Sequence, residues 1–223
     1  MKTFLSIGTG PGMGLATAER FAQAGYRVVL SARTRAKLDA MAAEFNSRGY
    51  VAQVKIVEAD DPSSVNDLIA AVVQEHGAID VLHYNAASLR QATVIDQPLD
   101  SFLPDLAVNI GGALAAIHAC LPGMRQAQSG SILLTGGGFG VAPHPDYLSL
   151  SVGKAGIRTL SLGLFETLRA DGIHIATVTV SAYVKPGSHE AVEIAQQFYD
   201  LHNQPVQDWR AEFVYEPAAV EAS

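Results

Sequence analysis

The stretch Ser6–Gly14, SIGTGPGMG, sets four glycines, Gly8, Gly10, Gly12 and Gly14, between the apolar run TFLSI and a segment of helical period, Leu15–Ala24. Glycine tolerates positive φ and lets backbone N–H groups approach a ligand closely, and the first turn of the following helix attracts an anion. A turn of this kind commits the chain to a βαβ unit. It points to a dinucleotide pyrophosphate held at Gly8, Gly10, Gly12, Met13 and Gly14, against the alternative of a tight turn without a ligand. The spacing G-x-G-x-x-G fails, because it needs glycine where Met13 or Leu15 stands; G-x-x-x-G-x-G fits as Gly8, Gly12 and Gly14.

The same alternation continues along the chain. Strands are expected at Thr3–Ile7, Arg27–Ser31, Val51–Val57, Ile79–His83, Ser131–Thr135 and His174–Val180. Helices are expected at Leu15–Ala24, Arg35–Ser47, Ser63–Glu75, Pro104–Leu121 and Leu150–Ala170. Apolar strands alternating with helices predict a three-layer, Rossmann-like, doubly wound parallel sheet flanked by helices, an α/β fold. No repeat or linker divides the series, so residues 1–223 read as a single domain. The more polar stretch from about residue 181, with a helix at Glu190–Leu201 and a short strand at Glu212–Tyr215, reads as a C-terminal cap on it.

Composition narrows the partners. A net charge of −7 with no basic run argues against a nucleic-acid or anionic-membrane surface. The apolar segments are shorter and more interrupted than the ~20 residues of a membrane span, and MKTFLSIGTG is too short for a secretory core; the expectation is a cytoplasmic protein. Cys120, the single cysteine, excludes an internal disulfide and a multi-cysteine metal site and reads as a small apolar helix residue; no metal is expected.

The second strand ends in LSARTRAKL, with no carboxylate before Asp39. A carboxylate there would bond a ribose 2′-hydroxyl, whereas a guanidinium matches a 2′-phosphate, so Arg33 selects NADP(H) over NAD(H).

These motifs together resemble the short-chain dehydrogenase/reductase family over nearly the whole chain. GTGPGMG is similar to its cofactor loop, and EADDPSSV to its adenine-contacting segment, with Glu58 or Asp60 as the acid. YNAA stands where the family has N-N-A-G, so Asn85 and Ala86 match while Tyr84 and Ala87 depart. The resemblance implies that Asn109 holds a proton-relay water and that Lys154 binds the nicotinamide ribose and tunes a tyrosine. A buried asparagine serving a helix distortion would read the same as Asn109.

The family's tyrosine belongs four residues before Lys154, at Leu150, and its serine thirteen before that, at Gly137. Both oxygen-bearing side chains are therefore missing from their usual places. Tyr147, one turn earlier and behind Pro143 and Pro145, is the first candidate to replace the acid; His144, Tyr183 and the backbone N–H groups of Thr135 and Gly136–Gly138 are others. Ser149 and Ser151 fall on other helix faces. His202 and Trp209 are candidate pocket walls, and only a short lid follows the sixth strand. The expected function is NADP(H)-dependent hydride transfer to or from a small carbonyl, imine or activated double bond, with Lys154, Asn109 and Tyr147 catalytic. The alternative is an inactive NADP(H)-binding sensor or partner protein. The resemblance also implies a homodimer or homotetramer built on the two long helices.

Overall fold

The apolar runs assemble into a seven-stranded, wholly parallel sheet in the order β3-β2-β1-β4-β5-β6-β7. The structure, a computed structural model, describes residues 1–217; residues 218–223, the end of the expected cap, lie outside the described residues. The strands are β1 (Thr3–Ile7), β2 (Arg27–Ala32), β3 (Ala52–Ile56), β4 (Val81–Tyr84), β5 (Gly130–Thr135), β6 (Ile173–Val180) and β7 (Glu212–Tyr215). The helices are α1 (Met13–Gln23), α2 (Arg35–Ser47), α3 (Pro62–His76), α4 (Leu99–Leu106), α5 (Gly112–Ala127), α6 (Leu148–Ala170) and α7 (His189–Asn203). Every residue of β1, β4 and β6 is buried. Helices cover both faces, which is why these strands are buried on both sides and mostly apolar, with a few buried polar residues such as Ser6, His83 and Thr177.

Each face of the sheet has its own core. On one side Leu68 of α3, Ile117 of α5 and Ile157 of α6 pack on Leu5 and Leu82; on the other, Phe21 of α1, Leu38 of α2 and Phe198 of α7 pack on Phe4 and Leu133. Chain order reverses between β1 and β4, where Ser6 pairs with His83 and Ile7 with Tyr84. The carboxyl ends of these two strands therefore splay their loops apart, the position at which doubly wound sheets carry a ligand crevice.

Two parts differ from the reading of the sequence. The tail is only partly a cap: its strand Glu212–Tyr215 extends the main sheet beside β6, from Thr177↔Glu212 to Val180↔Tyr215. Arg158 and Thr179 fix it through the Glu212 carboxylate, at 2.8 and 2.6 Å. The helix expected over Pro104–Leu121 instead runs unbroken from Leu99 to Ala127, as α4, a π turn at Ala107–Gly111, and α5. In the π turn Gly112 N–H donates to the Ala107 carbonyl, which leaves the Val108 carbonyl free; the Tyr84 hydroxyl takes it at 2.5 Å. Tyr84, a departure from the family pattern, thus supports a helix defect. The 29-residue helix is long and apolar enough to cross a membrane, contrary to the impression left by Pro104, Gly111, Gly112, Pro122 and Gly123. On one face its Ala113, Ala116, Ile117 and Cys120 pack in the core of this domain, while Leu99, Leu103 and Leu114 are exposed.

The irregular segment between β4 and α4 is anchored on one buried carboxylate. Asp105 accepts from Ser88 Oγ at 2.5 Å, Arg90 Nε at 2.7 Å and Ser149 Oγ at 2.9 Å. Burial acts to raise the pKa of its carboxyl, but Arg90 and the two hydroxyls outweigh that and hold it below the ordinary value. Its stabilisation is present above the unfolded carboxylate pKa and is lost as pH falls through the lowered folded value. Asp105→Ala should cost about 3 kcal/mol in urea denaturation, because it strands Arg90 and two hydroxyls; a loss below about 1 kcal/mol would contradict this anchoring role.

Candidate functional site

Two loops meet at the switch point with no room for side chains between them. Gly8 has φ +84°, and a Cβ on it would stand 2.3 Å from Ala86 N and 2.4 Å from Ala86 Cα. A Cβ on Gly14 would stand 3.0 Å from Asn85 Nδ2 and 3.2 Å from the Gly8 carbonyl. These two glycines serve the packing of loop on loop. Gly10 and Gly12 have nothing within 4 Å of a built Cβ, so their side of the turn is open to a ligand. Gly8 N–H and Thr9 N–H both donate to the Ser31 carbonyl at 2.9 Å, tying the turn to β2.

The turn opens into a cleft of about 940 Å³. Gly8, Gly10 and Met13 form its floor at the start of α1, while Gly12 and Gly14 lie off its lining. Arg33 and Asp60 stand at one end and Asn85 and Ala86 at the centre. Between the two acids considered for the adenine, Asp60 lines the cleft; Glu58 is exposed elsewhere. Arg35 is paired with Asp39 at 3.5 Å, whereas Arg33 has no ion pair among the described residues. The arrangement offers an anion the helix terminus and a guanidinium.

The other end of the cleft belongs to α6. Tyr147 caps this helix, and positions 147, 150 and 154 follow the i, i+3, i+7 spacing of one helix face. All three line the cleft. Lys154 Nζ donates to the Thr135 carbonyl at 2.7 Å, and burial pushes its ammonium down to about 8. The Tyr147 ring stacks on Phe139 with centroids 5.3 Å apart, and its hydroxyl has no hydrogen bond among the described residues. Leu150 and Gly137 lie beside them without a side-chain oxygen. A Cβ on Gly137 would come within 3.2 Å of Lys154 Cγ, so the glycine makes room for the lysine stem.

Several expected residues are engaged elsewhere. Asn109 is 2% exposed within the π turn and does not line the cleft: its Oδ1 accepts from Ser88 N–H at 2.6 Å and its Nδ2 faces the Ser88 carbonyl. Its amide therefore braces the loop behind the site. Gly136 drops out as an oxygen-binding donor because its N–H is spent on the Val178 carbonyl at 2.9 Å. Ser151 bonds the Tyr147 carbonyl at 2.8 Å, His144 packs behind Tyr147, and Tyr183, 88% exposed, stands at the rim. His202 and Trp209 do not line the cleft. His202 is bonded to Tyr26 at 2.7 Å and to Ser131, at the start of β5, at 2.8 Å; Trp209 stacks flat on His174 at 4.6 Å.

The sequence reading missed His83, which is fully buried under the cleft and bonded to Ser6 and Thr135. A titratable ring inside an otherwise apolar strand demands partners, and that was the available signal. Asp105, Leu89, Gln91 and Phe139 were also missed; none carries a motif.

A family described as short chain dehydrogenase matches residues 2–194. An oxidoreductase of Sarocladium schorii is 31% identical over 196 residues, spanning 86% of this chain and 76% of that protein. An uncharacterized oxidoreductase of Staphylococcus saprophyticus is 26% identical over 80% of this chain and 76% of its own length. Among solved structures, a metagenomic short-chain oxidoreductase in complex with NADP superposes with a TM-score of 0.90 at 24% identity, covering 97% of both chains.

Lys154 should titrate near pH 8, below the ordinary lysine value, losing its charge as pH rises through that point. Following its side-chain NMR signal, identified by its absence in Lys154→Met, checks this; titration above pH 10 would show that the amine is not desolvated.

Proposed function

The chain belongs to the short-chain dehydrogenase family, and from that premise we propose that it is an NADP(H)-dependent reductase of small conjugated carbonyl compounds, with Tyr147 as its proton donor. The observation that carries the reading is the shared helix face: Tyr147, Leu150 and Lys154 look into the same cleft that the glycine turn enters.

The residues suit the nucleotide. Gly10 and Gly12 leave their side of the turn open, α1 presents its N-terminus, and Arg33 is a guanidinium without a carboxylate partner among the described residues. Gly8, Gly10 and Met13 would form the pyrophosphate cradle, with Gly12 keeping the turn open and Gly14 packing it against Asn85; Arg33 would hold the 2′-phosphate and Asp60 the adenine end. Asn85, Ala86 and Lys154 would hold the nicotinamide ribose. The bound NADPH supplies hydride.

What the chain itself adds is the position of the proton. Tyr147 is displaced one helical turn, ~5 Å, from the position beside Lys154 that Leu150 occupies. In a simple ketone the carbon that takes hydride and the oxygen that takes a proton are directly bonded. In an α,β-unsaturated carbonyl they are three bonds apart, which moves the oxygen along the cleft toward Tyr147. Hydride adds to the β-carbon, the electron pair shifts to oxygen, and the Tyr147 hydroxyl delivers its proton there. Leu150 would exclude water between the two ends, and the N–H of Gly137, which has no partner among the described residues, would support the developing oxyanion. An inactive nucleotide-binding protein is the second reading, favoured by the absence of side-chain oxygens at Leu150 and Gly137. Exposed Leu99, Leu103 and Leu114 on the long helix support a homo-oligomer.

Following NADPH oxidation against enones, ketones and imines separates these readings. The expected order places enones first, and Tyr147→Phe should lower kcat at least about 100-fold while leaving NADPH affinity within about twofold. Ketones turned over faster than enones would overturn the substrate class; tight NADPH binding without turnover of any compound would favour the inactive reading. Arg33→Ala should cut the preference for NADPH over NADH by about tenfold or more, and an unchanged preference would remove Arg33 from the 2′-phosphate.

A further inference from the structure

We infer that His83, buried beneath the cleft and outside its lining, is a positioning residue that orders a one-directional chain of hydrogen bonds holding the Gly8 turn and the end of β5 in a fixed relation. Only its nucleotide-binding readout rests on the proposed function.

The direction of every bond follows from one atom. The Gly8 carbonyl can only accept, and Asn85 Nδ2 donates to it at 2.8 Å. That fixes which way the Asn85 amide faces, so its Oδ1 must be the atom opposite Thr135 Oγ1, at 3.0 Å. Oδ1 can only accept, so the Thr135 hydroxyl spends its single proton there. Thr135 Oγ1 is then left to accept from His83 Nε2, 3.1 Å away. His83 is therefore the neutral tautomer with its proton on Nε2, and its Nδ1 faces the hydroxyl of Ser6 at 3.5 Å as an acceptor. The other neutral tautomer would set two lone pairs against each other in a fully buried place. The imidazolium is disfavoured by burial and by the charge of Lys154, which push the ring down to about 3.

All four bonds run the same way, from Ser6 to Gly8, and each polarises the next. Sheet register makes this possible. Ser6 pairs with His83, and His83 with Leu133, two residues before Thr135, so the three polar side chains share one face of the sheet. The chain ends at the turn that floors the cleft, and its middle member, Thr135, also gives its carbonyl to Lys154 at 2.7 Å. His83 thereby fixes groups at both ends of the cleft without entering it. Phe4 at 5.8 Å and Phe198 at 4.8 Å hold the imidazole in place.

The ¹⁵N spectrum of the labelled wild-type protein at pH 7 should show His83 Nε2 protonated and Nδ1 bare; the reverse, or two protonated nitrogens, overturns the chain. His83→Phe keeps a ring between Phe4 and Phe198 but no donor, and should raise the NADPH dissociation constant about fivefold. His83→Gln, whose amide can donate to Thr135, should bring it back to within about twofold of wild type. Thr135→Val should match His83→Phe, and the double variant should be no worse than either single one. Wild-type affinity in His83→Phe, or Gln as impaired as Phe, would refute the positioning role. Should His83→Phe fail to fold, Thr135→Val and the wild-type spectrum still decide the matter. If the wild-type protein binds no NADPH, the nucleotide reading fails, while the tautomer stands or falls on the spectrum alone.

Discussion

Everything at the carboxyl edge of the sheet depends on one close contact, the meeting of the Gly8 turn with the backbone of Ala86. A Cβ at Gly8 would stand 2.3 Å from Ala86 N, closer than any real contact. The two loops leave adjacent parallel strands at the point where strand order reverses, and only this absence of side-chain bulk lets them cross. The crossing then sets Asn85 against the Gly8 carbonyl, aims the N-terminus of α1 into the crevice and leaves the crevice floored by backbone.

Polar side chains near the cleft divide into those that face it and those that hold it. Arg33, Asp60, Tyr147 and Lys154 line it. Ser6 and His83 lie buried beneath it, Thr135 and Asn85, which also line it, join them to the turn, and Asp105 with Ser88, Arg90 and Ser149 braces the loop beside it. Asn109 belongs to the bracing set. Low local dielectric makes such interior bonds strong when complete and costly when broken, so they hold the cleft in a well-defined geometry.

The features legible in sequence were those set by local chemistry. The glycine turn, the alternation of apolar strands with helices, the strand Glu212–Tyr215 and the shared spacing of Tyr147 and Lys154 all follow from periodicity and from residue type within a few positions. What escaped depended on register or on distant partners. His83 acquires meaning only when β4 lies between β1 and β5, and Asp105 only when α6 brings Ser149 to it. The tail joined the sheet because β6 left an edge that EFVY could pair with, which no local pattern reveals. The long helix was read too short because its prolines and glycines look like breaks, whereas a π turn and the Tyr84 hydroxyl absorb the irregularity. Asn109 carried two readings from sequence; its amide bonds both the N–H and the carbonyl of Ser88, a partner that no local pattern names.

The central claim is that the crevice at the Gly8–Ala86 crossing is a nicotinamide nucleotide site. Calorimetric titration of the unmodified protein with NADPH and then NADH tests it most directly. The account predicts saturable binding of about one NADPH per chain, with NADH weaker by about tenfold or more. No saturable binding of either nucleotide up to about millimolar concentration would contradict it.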